Sequence, residues 1–118
     1  MPNQAALDTM ARQVMQMHGD TIEDITYTHQ ESQSATPEVL TDLTVRLESF
    51  SRQEITADPL LLSDRRMRLP VYALTARASW KPSQFDTFER ANGEDWRIME
   101  IDGGPGTPFW LLRSRRVG

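Results

Sequence analysis

The stretch FERANGEDWRIMEI, residues 88–101, carries the clearest structural pattern in this chain of 118 residues. An Asn-Gly pair at positions 92 and 93 separates two runs in which apolar and polar residues alternate. Asn and Gly together supply the positive φ angles that tight hairpin turns require. We therefore predict that Asp86–Arg90 and Asp95–Ile101 pair as antiparallel strands. Trp96 and Ile98 then share the core face of the second strand.

The alternation breaks between Ile98 and Ile101, which are three residues apart. A β-bulge near Met99–Glu100 would restore the alternation, because a bulge inserts one extra residue into a strand. The glycine-rich segment 102–108 follows as a loop, and FWLLR (109–113) is predicted as the last strand. Residues 114–118 then form a basic tail.

The first half of the chain predicts one helix and two strands. Residues 3–19 carry an apolar stripe at helical spacing, with Asn3 as the N-terminal cap and Gly19 at the end. The stripe consists of Leu7, Met10, Ala11, Val14, Met15 and His18. It either covers one end of a β core or serves as a docking face.

Strand patterns then follow at turn-separated intervals. Core-facing residues alternate as Ile25, Tyr27 and His29 in the first strand, and as Leu43, Val45 and Leu47 in the second. Residues 66–74 form another candidate strand, which Pro70 confines to an edge or a bulge. Segment 49–64 is predicted to be a long irregular loop, and loops of that length are usually functional or partly disordered.

These elements predict one mainly β domain over residues 1–118. We expect a small antiparallel β-barrel or sandwich over residues 20–113, with one N-terminal helix and the long loop 49–64 inserted. The longest apolar run, Leu60–Leu62, is far too short to span a bilayer. Cysteine is absent, so no disulfide or thiolate metal site can form, and an intracellular protein is expected.

No motif for catalysis, metal or cofactor binding stands out, so we predict neither an enzyme nor a cofactor. The two histidines, His18 and His29, have no metal-binding spacing. The loop 102–108 lacks the adjacent lysine and hydroxyl residue that end the motif of a phosphate-binding P-loop. Acidic residues such as Glu94 and Asp95 lie at a turn, where solvated carboxylates are expected.

Charge is distributed unevenly along the chain. Residues 1–60 hold ten acidic and three basic residues, and residues 61–118 hold seven acidic and ten basic residues, which gives −7 and +3. The two halves either dock against charged neighbours or are solvated surface. Because arginine pairs well with carboxylates and the whole chain is acidic, we favour protein contacts over phosphate contacts. The predicted interface residues are Arg65, Arg66, Arg68, Arg113, Arg115, Arg116, Glu23 and Asp24.

Residues 69–116 resemble the C-terminal half of the head–tail joining proteins of long-tailed bacteriophages, the lambda-type head-completion or stopper proteins. The shared pattern is an apolar strand, a turn leading to Asp, a hairpin glycine, an aromatic-x-Ile strand, a glycine loop and a strand ending on Arg. Its places are taken by Val71–Leu74, Pro82 with Asp86–Thr87, Asn92–Gly93, Trp96 with Ile98, Gly103–Gly106 and Trp110–Arg113. Family members often have Gly where this chain has Phe85, which leaves the local turn type open.

The resemblance implies a structural protein of the virion neck that assembles in the host cytoplasm. Such a protein forms a homo-oligomeric ring of six or twelve copies, with portal and adaptor proteins above it and a tail terminator or tail tube below. The ring retains packaged DNA and contacts it non-specifically. Segment 49–64 is the candidate channel-facing loop. Its candidate residues are Arg52, Gln53, Glu54, Asp58, Leu60, Leu61 and Leu62.

Three other functions remain open, of which a small hydrolase or isomerase barrel is opposed by the lack of any site motif. A tail terminator or another neck ring differs from the first prediction only in its position along the virion. An OB-like nucleic-acid-binding module would also combine a helix with a small barrel, but it needs aromatic residues on an exposed basic strand face.

Overall fold

The structure, a computed structural model that describes residues 3–17 and 21–117, contains a closed barrel of six antiparallel strands. The strands lie around the barrel in the order β1-β2-β3-β6-β5-β4, and β4 pairs back to β1. Their bounds are β1 Ile22–His29, β2 Glu38–Ser49, β3 Asp64–Pro70, β4 Thr87–Glu89, β5 Asp95–Gly103 and β6 Phe109–Arg116. The predicted mainly β antiparallel fold is confirmed, and closure makes it a barrel.

Within residues 3–17 and 22–117, the helical segments that accompany the barrel are α1 Gln4–Met17, α2 Arg52–Ala57, a 3₁₀ helix Pro59–Leu62 and α3 Val71–Thr75. The barrel interior is filled by alternate residues of the strands, as period-2 patterning requires. The core includes the predicted inward residues Ile25, Tyr27, Leu43, Val45, Leu47, Trp96 and Ile98. The predicted third member of the first strand, His29, is also buried.

Helix α1 begins where the sequence predicts. The side chain of Asn3 accepts a hydrogen bond from the Ala6 amide at 2.9 Å. Ala11 and Met15 pack with Phe109 in a second small core outside the barrel interior. Of the apolar stripe, Leu7, Ala11 and Met15 are buried, whereas Met10 is 52% exposed. His18 and Gly19, the predicted end of the helix, lie outside the described residues.

The β4–β5 hairpin confirms the pairing read from the opening stretch. Phe88 lies opposite Trp96, and their stacked rings are 6.1 Å apart. The Gly93 amide donates to the Arg90 carbonyl at 2.9 Å, and Gly93 has a φ of 89°. Asn92 lacks a positive φ, contrary to prediction. The turn therefore has a three-residue loop closed by a left-handed glycine.

The β-bulge predicted near Met99–Glu100 is also confirmed. The register between β5 and β6 shifts between Ile98 and Glu100. Ile101, however, remains 37% exposed, so the bulge does not return it to the core. After β5, Gly104 passes so close to Trp110 that an added Cβ would lie 2.7 Å from the ring.

The predicted strand 66–74 is wrong in its second half and in its edge position. Strand β3 lies between β2 and β6 and ends at Pro70, and α3 follows directly. Pro70 is tolerated because it is the last strand residue and its φ of −58° suits the cap of α3. The Val71 amide, free of the strand ladder, donates to the Pro108 carbonyl at 3.1 Å.

Two strands are longer than predicted. Strand β2 begins at Glu38, and Asp42 with a φ of 53° lies where its register with β1 shifts. Strand β6 continues through residues 114–116, which were predicted as a tail, because Ser114 is buried opposite Ile98 and Arg115 lies opposite Asp64.

Candidate interaction surface

The segment that links β2 to β3, residues 50–63, is folded, so the prediction of an irregular loop is wrong. We call this segment the arm. Ser51 caps α2 by accepting from the Glu54 amide at 3.2 Å, and Glu54 returns the bond by accepting from the Ser51 amide at 3.1 Å. Asp58 caps the 3₁₀ helix by accepting from the Leu60 amide at 3.2 Å. Local capping therefore fixes the shape of the arm.

An ion pair ties the arm to the barrel. Arg66 of β3 donates to the Glu54 carboxylate, and it also lies over the Phe50 ring at 4.7 Å. The pKa of Glu54 is lowered first by the hydrogen bonds from Ser51 and then by Arg66. Glu54 therefore stays charged at neutral pH, and the attachment persists.

The arm exposes apolar side chains. Leu60 is 65% exposed and Leu62 is 69% exposed, whereas Leu61 is half-buried. Arg52 and Gln53, two other residues of the predicted channel-facing set, lie exposed on α2. Whether the arm faces DNA stays a prediction, but its leucines are held in water by a folded segment.

A groove of about 540 Å³ lies between the arm and the outer face of β3, β5 and β6. Its apolar lining consists of Phe50, Leu61, Ile101 and Leu111. A second depression of about 260 Å³ continues it toward Phe109 and shares Arg68, Asp102 and Leu111 with it. The groove thus combines four apolar residues with six charged ones, Asp58, Arg66, Arg68, Glu100, Asp102 and Arg113.

The arginines around the groove already have partners in the chain. Arg68 Nε lies 2.8 Å from Glu48, and Arg66 contacts both Glu48 and Glu54. Arg113 lies 3.1 Å from Glu100 and 3.4 Å from Asp64. These three residues were predicted to contact another protein, but their charges are largely neutralised within the subunit.

The remaining predicted interface residues are also engaged. Arg115 donates two hydrogen bonds to the buried Asp64, at 2.9 and 3.2 Å. Arg116 lies 3.0 Å from Glu94 but is 57% exposed. Arg65 donates to the Asp64 carbonyl, Glu23 binds Arg90 at 2.7 Å, and Asp24 accepts from Thr44. The predicted residues thus lie on several strands and do not form one basic patch.

A buried polar cluster at Asp86 was missed by sequence reasoning. The Asp86 carboxylate accepts from the Tyr27 hydroxyl at 2.5 Å and from the amides of Gln30 and Ser83, at 2.9 and 2.8 Å. His29 Nδ1 lies 2.9 Å from the same carboxylate. Trp80 stacks on His29 with ring centroids 4.0 Å apart. All Asp86 oxygens are therefore satisfied inside the fold.

The protonation of this cluster follows from its contacts. Burial lowers the pKa of His29, but hydrogen bonds to Glu31 and Asp86 outweigh burial and raise it above its ordinary value. Burial, together with the neighbouring Asp86 carboxylate, raises the pKa of Tyr27, which stays neutral. The signal available in the sequence was His29 on the core face of a strand, since a buried histidine needs polar partners.

Residues 3–17 and 21–117 contain no group of three or more potential metal ligands. Nor is any helix in that part of the chain long and apolar enough to cross a membrane.

Comparison with protein-family models, curated proteins and solved structures gives no significant match. The resemblance to head–tail joining proteins therefore rests on the sequence pattern alone.

Proposed function

We propose that this chain is the subunit of a head-completion or stopper ring in the neck of a long-tailed phage or a related particle. The ring, of six copies or alternatively twelve, joins the portal and adaptor of the DNA-filled head to the tail terminator or tail tube. It helps to retain the packaged DNA. The protein is structural and has no enzymatic role in this proposal.

The observation that supports this function best is the folded arm that exposes Leu60 and Leu62. Exposed leucines on a flexible loop are unremarkable, but these two are held in place by two caps and an ion pair. A segment that keeps apolar side chains in water in a fixed geometry suits a protein that is completed by assembly.

The barrel itself supports the same function. Closure pairs every strand with two neighbours, although β2 pairs with β3 only through its last four residues, Arg46–Ser49. Closure also makes each subunit a rigid unit. A ring needs rigid subunits, because each one joins two different faces to identical neighbours.

The OB-like nucleic-acid-binding alternative has less support. Such a module stacks bases on exposed aromatic residues. Here Phe88, Trp96 and Trp110 are buried, and Trp80 is stacked against His29. The arginines that would hold phosphates are paired with carboxylates of the same chain. A tail terminator or another neck ring remains a neighbouring possibility of the same structural class.

Inactivating the gene in the phage or prophage that encodes the chain tests this function. We expect DNA-filled heads and finished tails to accumulate separately, and purified protein added to the extract to restore joining. The buried-core variant Trp96→Ala serves as a control that should fail to restore it. Normal yields of tailed particles without the protein would contradict the proposal.

A further inference from the structure

We propose that a depression at one end of the barrel, beside the β4–β5 turn, binds a carboxylate from an acidic segment of another protein. We call this depression the mouth. It has a volume of about 360 Å³, and its lining includes Arg65 of β3, Arg90 after β4 and Arg116 of β6. Its lining residues all differ from those of the groove, and the inference does not depend on the proposed neck function.

Strand alternation places these arginines at the mouth. Met67 and Leu112 are paired in the barrel core, and Arg65 lies two residues before Met67 on the same face of β3. Arg116 lies opposite the buried Trp96, which also lines the mouth. Positions that continue the core face of two neighbouring strands are therefore occupied by cations where the barrel ends.

The positive charge of the mouth is only partly neutralised. The Glu94 carboxylate lies 3.3 Å from Arg90 and 3.0 Å from Arg116, so one carboxylate serves two arginines. Arg90 has a second partner, Glu23, at 2.7 Å. Among the described residues, Arg65 has no carboxylate partner and donates only to the carbonyl of the residue before it, at 3.0 Å. Three arginines thus meet two carboxylates, and one positive charge is left without a counter-ion.

Donors remain on Arg65 and Arg116 for an oxyanion. The side chain of Arg116 is 57% exposed, and Arg65 is half-buried. A guanidinium carries several N–H donors, of which these contacts occupy few, so both side chains can donate to a further acceptor. Because β3 and β6 are adjacent, the two guanidinium groups can hold one carboxylate between them by charge-assisted hydrogen bonds.

The surroundings favour a carboxylate of a protein over the phosphates of a nucleic acid. Nucleic acids are held by a series of basic residues that follows the backbone. The other arginines of β3 and β6, namely Arg66, Arg68, Arg113 and Arg115, are paired with carboxylates of the same chain. The unpaired charge is therefore confined to the mouth. Leu62, 69% exposed at its rim, suits an acidic side chain that has an apolar neighbour.

An NMR titration of the purified protein tests this site. Trp96 reports on the mouth, because its ring lines the depression and its indole N–H donates to Glu94 at 3.3 Å. The probe is the end-blocked peptide Gly-Glu-Asp-Leu-Glu-Gly, and the matched control peptide has Gln and Asn in place of the acidic residues. We expect the acidic peptide to shift the Trp96 indole signal saturably, less so as salt is added, and the neutral peptide to leave it unchanged.

Three variants locate the binding charge. Arg65→Gln should weaken binding of the acidic peptide by roughly tenfold, because it removes the unpaired cation. Arg97→Gln is the matched control, since it removes the same charge from an exposed arginine of β5 outside the mouth. Glu94→Gln should tighten binding by roughly threefold, because it frees Arg116 while its amide oxygen still accepts from Trp96. A purely structural role of Glu94 would not produce a gain, and thermal melts confirm that each variant is folded.

Equal affinity of the Arg65→Gln and Arg97→Gln variants for the acidic peptide would overturn the inference, as would a Trp96 signal that does not respond. Single-stranded oligothymidylate of the same net charge is the second probe. If it shifts Trp96 at a lower concentration than the peptide does, the mouth binds nucleic acid and the inference is wrong. The yield of tailed particles, which tests the neck function, is not measured by this titration, so the two proposals can fail separately.

Discussion

Two aspartates of this barrel are fully buried, yet their surroundings differ in one decisive respect. Asp86 binds Tyr27, His29 and two backbone amides, and both side chains are almost completely excluded from water. Asp64 binds Arg113 and Arg115, whose side chains are 19% and 32% exposed. If the carboxylate were removed, Tyr27 and His29 could not form hydrogen bonds with water instead, whereas Arg113 and Arg115 could.

The difference indicates what each cluster contributes. The Asp86 cluster joins the segment before β4 to strand β1 by hydrogen bonds, and we expect it to affect stability alone. The Asp64 cluster joins the root of the arm to the strand that forms one side of the groove, so it couples folding to the candidate interaction surface. Substitutions can therefore separate a loss of stability from a loss of assembly.

Asp86→Ala should have the largest effect. It leaves the buried Tyr27 hydroxyl, the Nδ1 of buried His29 and two part-buried amides without their acceptor, and we expect a loss of about 3–5 kcal/mol of unfolding free energy. Chemical denaturation measures it, and a loss no larger than that of Asp64→Ala would break the distinction between the clusters.

Asp64→Ala should destabilise the protein less, by about 1–3 kcal/mol, because both arginines are partly exposed to water and Arg113 keeps its contact with Glu100. Arg115→Ala should also lower stability, since it removes a donor from a buried carboxylate. Arg115, one of the predicted interface residues, is therefore expected to contribute to stability as well. Arg116→Ala is the matched control, and an Arg115→Ala midpoint equal to that of the control would contradict the assignment.

Gly93→Val tests the hairpin apart from both clusters. A β-branched residue resists the φ of 89° at this position, although no atom lies within 4 Å of its added Cβ. We expect a loss of about 1 kcal/mol or more from backbone strain alone. Gly93→Asn should retain more stability, because asparagine tolerates left-handed backbone better; a reversed order in thermal melts would refute the turn assignment.

The smallest predicted effect is a pH dependence from His29. Because its folded pKa is raised above its unfolded value, its stabilising contribution is complete below about pH 6.5 and is lost as the pH rises through the folded pKa. Removing the Glu31 hydrogen bond with Glu31→Gln should reduce this slope. Denaturation midpoints between about pH 6 and pH 9 measure it, and a steeper slope in the variant would invert the predicted sign.

Sequence patterns predicted the elements whose information is local. The hairpin turn, the bulge before Ile101 and the inward residues of β1 and β2 all follow from alternation and turn chemistry. The barrel also followed, because short antiparallel strands with three tryptophans must close or stack to bury them. The first third of β2 was not predicted, because the left-handed conformation of Asp42 shifts the register and breaks the alternation of the sequence.

The two aspartate clusters depended on non-local partners and could not be predicted in this way. The arm, in contrast, begins with a capping box, Ser51 with Glu54, that local inspection could have recognised. The pairing of Asp64 with Arg115 depends on the register of β3 with β6, and that of Asp86 with Tyr27 spans 59 positions. The prediction that the arginines contact another protein has the same weakness. Their carboxylate partners are distant in sequence, so the sequence did not show that these charges are neutralised within the subunit.

The mass of the purified protein, measured by itself and after binding to a portal–adaptor complex, tests the central claim most directly. We expect the dilute protein to be monomeric and to form a closed ring on the portal complex. The arm variant L60D/L62D should keep the fold and lose the ring, whereas V39D, a change at another exposed apolar residue, should keep both. A compact two-fold dimer that survives L60D/L62D, or a folded protein that never joins the portal complex, would contradict the account.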